Sequence, residues 1–235
     1  MIAFDIRHYD SIGSTSDEAL RLARDGAPHG TVVCAREQTA GRGRHARRWH
    51  SPIGNLYVSL LLRPDVAPGR AAELSFVAAL AVADAVEGML PDGIRVELKW
   101  PNDVLVGGAK IAGILLEYAD GTVIVGIGLN IQHAPSFATY AVTSLVACGA
   151  EVVPAAIALD FLLEAFARRL TEWEECGFDV TRRAWLARAH APGSLLRVTI
   201  GDRIVTGRFV NMASDGALIV ATADGTARIV AGDVT

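Results

Sequence analysis

The sequence predicts a mixed α/β domain followed by a small all-β module. Up to about residue 190, segments with helical periodicity are interspersed with strand-like segments. After Ala191-Pro192-Gly193 the chain carries only short strand-like segments, with turn residues about every ten positions, as in a small barrel. We therefore predict a larger domain at residues 1–190 and a β-barrel at 191–235, which is too short to be the main body of an enzyme.

The first elements follow from local patterns. STSDEALRLARDG predicts a helix, because Thr15 and Glu18 have capping-box spacing and Gly26 stands where a helix ends. GTVVCAREQ and LYVSLLLRP predict strands, the second ended by Pro64. GRAAELSFVAALAVADAVEGML is apolar on all sides, which predicts a buried helix.

The remaining elements are predicted in the same way. IRVELKWP alternates like a half-buried strand, and KIAGILLEYADGTVIVGIGLNIQ holds two strands joined by a hairpin turn at Asp120-Gly121. Residues 154–175 and 179–190 predict helices. The strands of the small module are predicted in LRVTIGD, RIVTGRFVNM, GALIVATADG and TARIVAGDV.

Composition restricts the class of protein. The 235 residues include 22 Lys and Arg against 26 Asp and Glu, a net charge of -4, which argues against a general nucleic-acid or membrane-surface binder. The cysteines (Cys34, Cys148 and Cys176) form neither a CxxC pair nor a disulfide ladder, which fits a reducing cytosol. The charged start MIAFDIRHYDS does not fit a signal peptide, and the apolar stretches are too short for a membrane span. We expect a soluble, cytoplasmic protein.

One segment departs from this acidic character. GRGRHARRW, residues 41–49 and here called the arginine loop, holds four arginines and no acidic residue. It matches the G-x-G-x-x-A dinucleotide fingerprint, but Pro52 and Gly54 oppose the helix that this fingerprint requires, so we reject that interpretation. Glycines allow close backbone approach and guanidinium groups bind phosphate or carboxylate, whereas Trp49 could stack on a purine or anchor the loop. A solvated basic loop is the alternative.

Four further motifs each have an ordinary explanation beside a functional one. KWPNDV at 99–104 is a routine strand exit, or it brings a lysine, an amide and a carboxylate to a ligand site. In KIAGILLE, Lys110 either reaches solvent or faces a negatively charged reacting group. GIGLN at 126–130 marks a bulge or the close approach of a ligand or of another backbone. Ser14 and Thr15 either cap a helix or bind a polar ligand.

Other kinds of site lack support in the sequence. The histidines His8, His29, His50, His133 and His190 form no metal-ligand spacing. No G-x-S-x-G, H-E-x-x-H or Walker sequence occurs. Hydrolase and zinc-enzyme functions are therefore not predicted.

Taken in order, GSTS, EQTAGRGRHARRW, KWPNDV, KIAGILLE, GIGLN and a small β module resemble the biotin protein ligases, over essentially the whole chain. Each motif alone is weak, but five in this order are specific. The resemblance implies a catalytic domain of the biotinyl/lipoyl-ligase type, a mixed β-sheet flanked by helices and related to class II aminoacyl-tRNA synthetases. It also implies a C-terminal SH3-like barrel.

The same resemblance implies the roles of individual residues. Lys110 and Arg44 are implied to be catalytic, and Trp49, Asn102 and Asn130 are implied to surround the nucleotide. The implied biotin-binding residues are Ser14, Thr15, Ser16, Gln38, Arg42, Gly43, Arg44, Lys110, Gly113 and Leu115. Ser16 departs from the family, which commonly has asparagine here, because its side chain is shorter and lacks the amide. Repressor-type relatives carry an N-terminal DNA-binding domain, whereas the Ser-Thr motif here begins at residue 14, so the resemblance implies a monofunctional form.

The resemblance also implies a reaction. Biotin and ATP form biotinyl-5'-AMP and pyrophosphate with Mg²⁺ held mainly by the ATP phosphates, and an acceptor lysine of a biotin carboxyl carrier protein then displaces AMP. The protein is expected to be a monomer or homodimer that binds neither nucleic acid nor membrane. Two alternatives are a lipoate or octanoate ligase of the same fold and a catalytically silent nucleic-acid module that binds through the arginine loop.

Overall fold

A computed structural model describes residues 2–136, 138 and 140–234 of the chain. The described residues form a larger and a smaller β-sheet, with helices packed against the larger one. The elements are β1 (Asp5–Ile12), α1 (Thr15–Arg24), β2 (Thr31–Gln38), β3 (Leu56–Leu62), α2 (Leu74–Glu87), β4 (Val96–Lys99), β5 (Asp103–Val106), β6 (Ala109–Ala119), β7 (Thr122–Leu129), α3 (Ala155–Cys176), α4 (Phe178–Leu186), β8 (Leu195–Ile200), β9 (Arg203–Met212), β10 (Leu218–Thr222), β11 (Gly225–Ile229) and β12 (Asp233–Val234).

The larger sheet has the strand order β1-β2-β3-β7-β6-β5-β4. Only the β1–β2 pair is parallel among these described strands, so the sheet is mixed. Successive side chains of a strand point to opposite faces. In β2, Val33 accordingly packs with Ala19 and Leu22 of α1, whereas Val32 joins the main core, which includes α2 and α3. The predicted mixed sheet flanked by helices is confirmed.

Two strands of the larger sheet were not predicted from the sequence. β1 is largely exposed and lacks regular alternation, because it is an edge strand that pairs only with β2. β5 forms a hairpin with β4, so the KWPND turn leads into a new strand and not into a loop. By contrast, the Asp120-Gly121 turn between β6 and β7 is confirmed, and both residues have the positive φ angles (49° and 75°) of a type I′ turn.

Two helix ends differ from prediction. Ser14, and not Thr15, caps α1: its hydroxyl accepts a hydrogen bond from the Asp17 amide at 3.4 Å. The helix expected at 179–190 ends at Leu186. The chain turns away there because the carbonyl of Arg188 accepts a hydrogen bond from the amide of Leu98 beside the larger sheet.

The smaller sheet is antiparallel and has the strand order β11-β10-β9-β8-β12. This arrangement fits a small SH3-like domain, but across the described residues the sheet does not close into the predicted barrel. β12 spans only Asp233–Val234 and pairs with β8, so β11 and β12 remain as edges. The division of the chain into domains between residues 190 and 191 stays a prediction.

The smaller sheet packs directly on the larger part of the protein. The Trp100 indole N–H donates to the carbonyl of Gly216 at 3.0 Å, and residues such as Val198 and Phe209 belong to the same buried cluster as α2. Among the described residues, no helix has both the length and the apolar character needed to cross a membrane.

Candidate active site

A cavity of about 440 Å³ opens between the arginine loop, the strands β6 and β7 and the end of the smaller sheet. Its size suits a small-molecule ligand. It brings together all but one of the residues predicted to form the site. Those that line it are Ser14, Thr15, Ser16, Gln38, Arg42, Gly43, Arg44, Trp49, Asn102, Lys110, Gly113 and Leu115.

A chain of hydroxyl and amide groups reaches one wall of the cavity at Thr15 and Gln38. The Ser59 hydroxyl donates to Thr15 Oγ1 at 2.8 Å, and the Thr15 hydroxyl donates to Gln38 Oε1 at 3.1 Å. Gln38 Nε2 donates to the Ser51 hydroxyl at 2.9 Å, and Ser51 donates to the carbonyl of Trp49 at 3.1 Å. This chain connects the start of α1 to the arginine loop through buried and partly buried groups.

The chain also orients the Ser16 hydroxyl. Ser16 Oγ lies 3.1 Å from Ser59 Oγ. The Ser59 hydroxyl already donates its proton to Thr15, so in the Ser16–Ser59 hydrogen bond Ser16 is the donor. The lone pairs of the Ser16 oxygen can then accept a hydrogen bond from a ligand. Ser16 Oγ lies directly above Gly126, where an added Cβ would come within 2.5 Å of it.

Glycines of the two central strands leave room for the Trp49 indole. A Cβ on Gly128 would lie 2.4 Å from the indole ring, and one on Gly113 would lie 3.0 Å from it. Real Cβ atoms do not approach so closely, so glycine is required at position 128 for Trp49 to occupy this place. The Trp49 Nε1 is buried and has no hydrogen-bond partner among the described residues. A buried donor of this kind normally finds an acceptor, which a ligand would supply.

Lys110 lies at the centre of the positive charge. Its Nζ is 2.6 Å from Asp103 Oδ1, and Lys99 Nζ is 3.1 Å from Asp103 Oδ2. The Lys110 ammonium also lies 5.3 Å from the Trp49 ring centre and 5.7 Å from that of Tyr140. Partial burial, and then the Asp103 carboxylate, raise the pKa of Tyr140, so its phenol is neutral at physiological pH.

The arginine loop is held by contacts at several points. Arg42 Nη2 binds Asp17 at 2.6 Å and Glu117 at 2.9 Å. Burial lowers the pKa of Arg42, but Glu117 and Asp17 outweigh it and the pKa is raised. Arg44 Nη1 donates to Asn102 Oδ1 at 3.2 Å, while Asn102 Nδ2 donates to the carbonyl of Ile114 at 2.6 Å. The loop is therefore tied to α1 and to β6.

Asn130 is the predicted site residue that does not line the cavity. It is buried, and its side-chain amide donates to the carbonyl of Thr143 at 2.9 Å. The Leu145 amide donates to the Asn130 carbonyl at 3.0 Å. In this structure Asn130 holds the segment that follows β7, and its predicted contact with a nucleotide stays a prediction.

Several lining residues were not predicted to belong to the site. Asp103 lies within KWPNDV, and Gly126 and Gly128 lie within GIGLN, so these motifs carried a signal for them. Tyr140, Thr199 and the other late residues lie in segments without a motif. The cavity residues of the smaller sheet are Thr199, Asp233 and Val234.

The charges around the cavity indicate an anionic ligand. Described cationic residues that line it are Arg42, Arg44, Arg47, Arg48, Lys99 and Lys110, against the carboxylates Asp103 and Asp233. Such a concentration in a chain of net charge -4 fits phosphate or carboxylate groups. No group of three or more His, Cys, Asp or Glu side chains able to hold a metal ion occurs within the part of the chain that the structure describes.

Comparison with protein families assigns both parts of the chain. Residues 10–132 match the biotin/lipoate A/B protein ligase family, and residues 196–235 match the biotin protein ligase C-terminal domain. The first match spans the start of α1, the arginine loop and the strands β6 and β7, which carry most of the cavity.

Individual proteins agree with these matches. A biotin–[acetyl-CoA-carboxylase] ligase of Paracoccus denitrificans is 43% identical over 218 residues, covering 88% of this chain and 90% of the relative. The bifunctional ligase/repressor BirA of Bacillus spizizenii is 34% identical over 97% of this chain and 72% of its own length. The biotin protein ligase of Aquifex aeolicus, solved with biotin and ATP, superposes with a TM-score of 0.86 at 28% identity over 98% of this chain and 97% of its own. The chain therefore belongs to the biotin/lipoate A/B protein ligase family and, within it, to the biotin protein ligases.

Proposed function

We propose that this protein is an ATP-dependent biotin ligase. It joins biotin to ATP as biotinyl-5'-AMP, releases pyrophosphate, and transfers the biotinyl group to a lysine of a biotin carboxyl carrier protein. The observation that carries the proposal is one cavity in which a chain of neutral hydrogen-bonding groups meets a cluster of cations. The relatives named as biotin ligases, and the Aquifex aeolicus structure with biotin and ATP, support this activity.

The neutral wall suits the head group of biotin. A cyclic urea offers one carbonyl acceptor and N–H donors, and it carries no charge. Ser14, Ser16 and the Thr15–Gln38 pair provide hydroxyl and amide groups that can pair with both kinds of atom. Because most of these groups are already oriented by each other, little side-chain entropy is lost when biotin binds.

The cationic side suits the reacting groups. In the first step a biotin carboxylate oxygen forms a bond to the α-phosphorus of ATP, and the bond to pyrophosphate breaks. Negative charge accumulates on the phosphoryl oxygens, and Lys110 and Arg44 lie on the side of the cavity where they would stabilise it. Asn102 orients Arg44 through its side-chain oxygen. The Trp49 ring and Gly113 would then border the nucleotide and the biotin chain.

Mg²⁺ would be held mainly by the phosphates of ATP, because it prefers oxygen ligands and is commonly bound through substrate phosphates. When bound, the ion neutralises charge on the phosphates. In the second step the amine of an acceptor lysine attacks the acyl carbon of biotinyl-AMP, and AMP leaves. Until then the arginine loop has to exclude water from this mixed anhydride.

Biotin is favoured over lipoate as the substrate. The family match alone includes both, but the C-terminal match is to biotin protein ligases, and the relatives that cover most of the chain bear biotin ligase names. The acceptor is the biotin-accepting domain of acetyl-CoA carboxylase, as the names of these relatives suggest.

An exchange assay tests the proposal directly. Purified protein should exchange labelled pyrophosphate into ATP only when biotin and Mg²⁺ are present, and it should label a biotin carboxyl carrier domain. Lipoate and octanoate in place of biotin serve as matched controls and should support little exchange. A protein that exchanges with lipoate but not biotin, or that shifts DNA without any exchange, would contradict the assignment.

A further inference from the structure

Among the described residues, two ion-pair anchors hold the arginine loop beside the Arg44–Asn102 hydrogen bond, and they lie on different parts of the protein. One is Arg42, which binds Asp17 of α1 and Glu117 of β6. The second is formed by Arg44 and Arg47, which both reach a single carboxylate, that of Asp233. The second anchor connects the loop to the last strand of the smaller sheet.

The geometry at Asp233 is that of a shared acceptor. Arg44 Nη1 lies 3.1 Å from Oδ1, and Arg47 Nη2 lies 2.5 Å from Oδ2, so each carboxylate oxygen takes one guanidinium. Arg44 Nη1 also donates to the backbone carbonyl of Gly232 at 3.2 Å. Asp233 is itself fixed because β12 pairs with β8, where Asp233 is opposite Thr199.

The second anchor is partly withdrawn from water. The side chains of Arg44 and Asp233 are 22% and 23% exposed, whereas Arg47 is 64% exposed. The contact with Arg44 is therefore screened less by solvent than an ordinary surface pair. All described hydrogen bonds of Arg44 use Nη1, so its Nε and Nη2 can still face a ligand while Asp233 holds the residue.

The loop needs such support because its own conformation is unfavourable. His45 and Ala46 have φ angles of 54° and 56°, a left-handed conformation that side chains with a Cβ adopt at a cost. The two residues are flanked in the chain by Arg44 and Arg47, and both of these arginines form ion pairs with Asp233. Contacts outside the loop must offset this strain.

We propose that Asp233 is a positioning residue that fastens the arginine loop to the smaller sheet and retains biotinyl-AMP between the two steps. This inference rests on the proposed function. Asp233 does not touch the reacting atoms; it acts by holding Arg44 and Arg47 beside the cavity. The smaller sheet thereby contributes an ionic contact to the active site, and the loss of this contact should affect retention of the intermediate more than its formation.

The experiment compares Asp233→Asn, which removes the charge and keeps the shape, with Asp233→Glu and with Asp215→Asn. Asp215 is a matched control, because it pairs with Arg228 in the same sheet and does not line the cavity. The first readout is the release rate of pre-formed biotinyl-AMP in rapid dilution. We expect Asp233→Asn to release it roughly 5- to 10-fold faster, the size of a lost, partly shielded ion pair. Its rate of adenylate formation should also fall, but by less than release rises, since Asn102 and the carbonyl of Gly232 still hold Arg44.

Rescue and coupling distinguish positioning from a general loss of structure. Asp233→Glu should restore most of the retention, and Asp215→Asn should behave as wild type. Arg47→Ala should speed release by itself, and combining it with Asp233→Asn should add less than the product of the two single effects. Melting temperatures show whether each variant folds.

A second readout does not depend on activity. Trypsin cleaves after exposed arginines, so loop cleavage in the ligand-free protein should be several-fold faster in Asp233→Asn than in Asp215→Asn. If wild type forms no biotinyl-AMP, the proposed function fails, while proteolysis still tests the anchor. Unchanged release and cleavage in folded Asp233→Asn would overturn the inference. So would slower release or tighter ATP binding, because Asp233 would then be a competitor of the phosphates.

Discussion

At the scale of single residues, the site depends on how a few charges are shared. The Asp103 carboxylate forms ion pairs with both Lys110 and Lys99, so the two ammonium groups share one counter-ion. Lys110 also lies beside the rings of Trp49 and Tyr140, which restrict its movement. An arriving carboxylate or phosphate therefore meets a cation that is already positioned, which is the arrangement that favours a charged transition state.

Substitution of Lys110 tests this arrangement. Lys110→Ala should reduce the rate of biotin-dependent ATP–pyrophosphate exchange by about 10²–10³-fold, because one preorganised cation is lost from the developing charge. Biotin binding should fall much less, since the neutral wall remains. The measurement is exchange kinetics on protein whose melting temperature shows that it is folded. Near-normal exchange in such a protein would remove Lys110 from the catalytic residues.

At the scale of elements, the site depends on two adjacent strands that carry glycine where Trp49 of the arginine loop approaches. Gly113 of β6 is opposite Gly128 of β7, and both lie under the Trp49 ring. The loop can therefore lie close to the sheet, and the strands act as the floor of the cavity. The sequence analysis interpreted Gly128 as a mark of close approach or of a bulge, and the resemblance implied that Gly113 binds biotin, but neither indicated that the Trp49 ring would lie over them.

A methyl group at position 128 should disturb this floor. Gly128→Ala would bring its Cβ within 2.4 Å of the indole, so Trp49 must move, at a cost of about 1–3 kcal/mol. We expect adenylation to fall roughly 10-fold or more with a normal fold. Gly69→Ala is the control, because no atom lies within 4 Å of an added Cβ there. If Gly128→Ala retains wild-type exchange rates and biotin affinity, Trp49 does not need its observed position.

The elements also show what could be predicted from the sequence. The Asp120-Gly121 hairpin and the apolar helix α2 were predicted correctly, because each is determined by residues close together in the sequence: a two-residue turn in the first case and a run of apolar residues in the second. The edge strand β1 was missed, because its few apolar residues are only partly buried. The contact of Asp233 with the arginine loop joins residues 186 positions or more apart, and no local pattern reports such a contact.

At the scale of the whole molecule, the two sheets share one hydrophobic cluster. Phe76 of α2 is buried against Trp185 of α4, with ring centroids 5.7 Å apart, and it also lies beneath Gly216 of the smaller sheet. A Cβ on Gly216 would lie 2.6 Å from the Phe76 ring. Unfolding of the smaller sheet would therefore expose apolar surface of the larger part, which couples their stabilities.

The segment that connects the two sheets contains a histidine that should make this stability depend on pH. His190 is half-buried, its Nε2 is buried with no hydrogen-bond partner in the described ranges, and burial lowers its pKa from the usual 6.5. Glu97 partly opposes this shift and Lys99 adds to it. Below about pH 6.5 the unfolded chain takes up a proton at this position before the folded protein does.

Stability must therefore fall as the pH decreases through this range. The contribution of one such proton to the free energy of unfolding is at most about 1.4 kcal/mol per pH unit. His190→Gln removes the titrating group, so its unfolding free energy should fall less steeply than that of wild type between about pH 6.5 and 5. Chemical denaturation at several pH values measures both slopes. His8→Gln, at an exposed position on β1, is the control and should follow wild type. If His190→Gln and wild type lose stability in parallel, protonation of His190 is not linked to unfolding, and the acid sensitivity arises elsewhere in the chain.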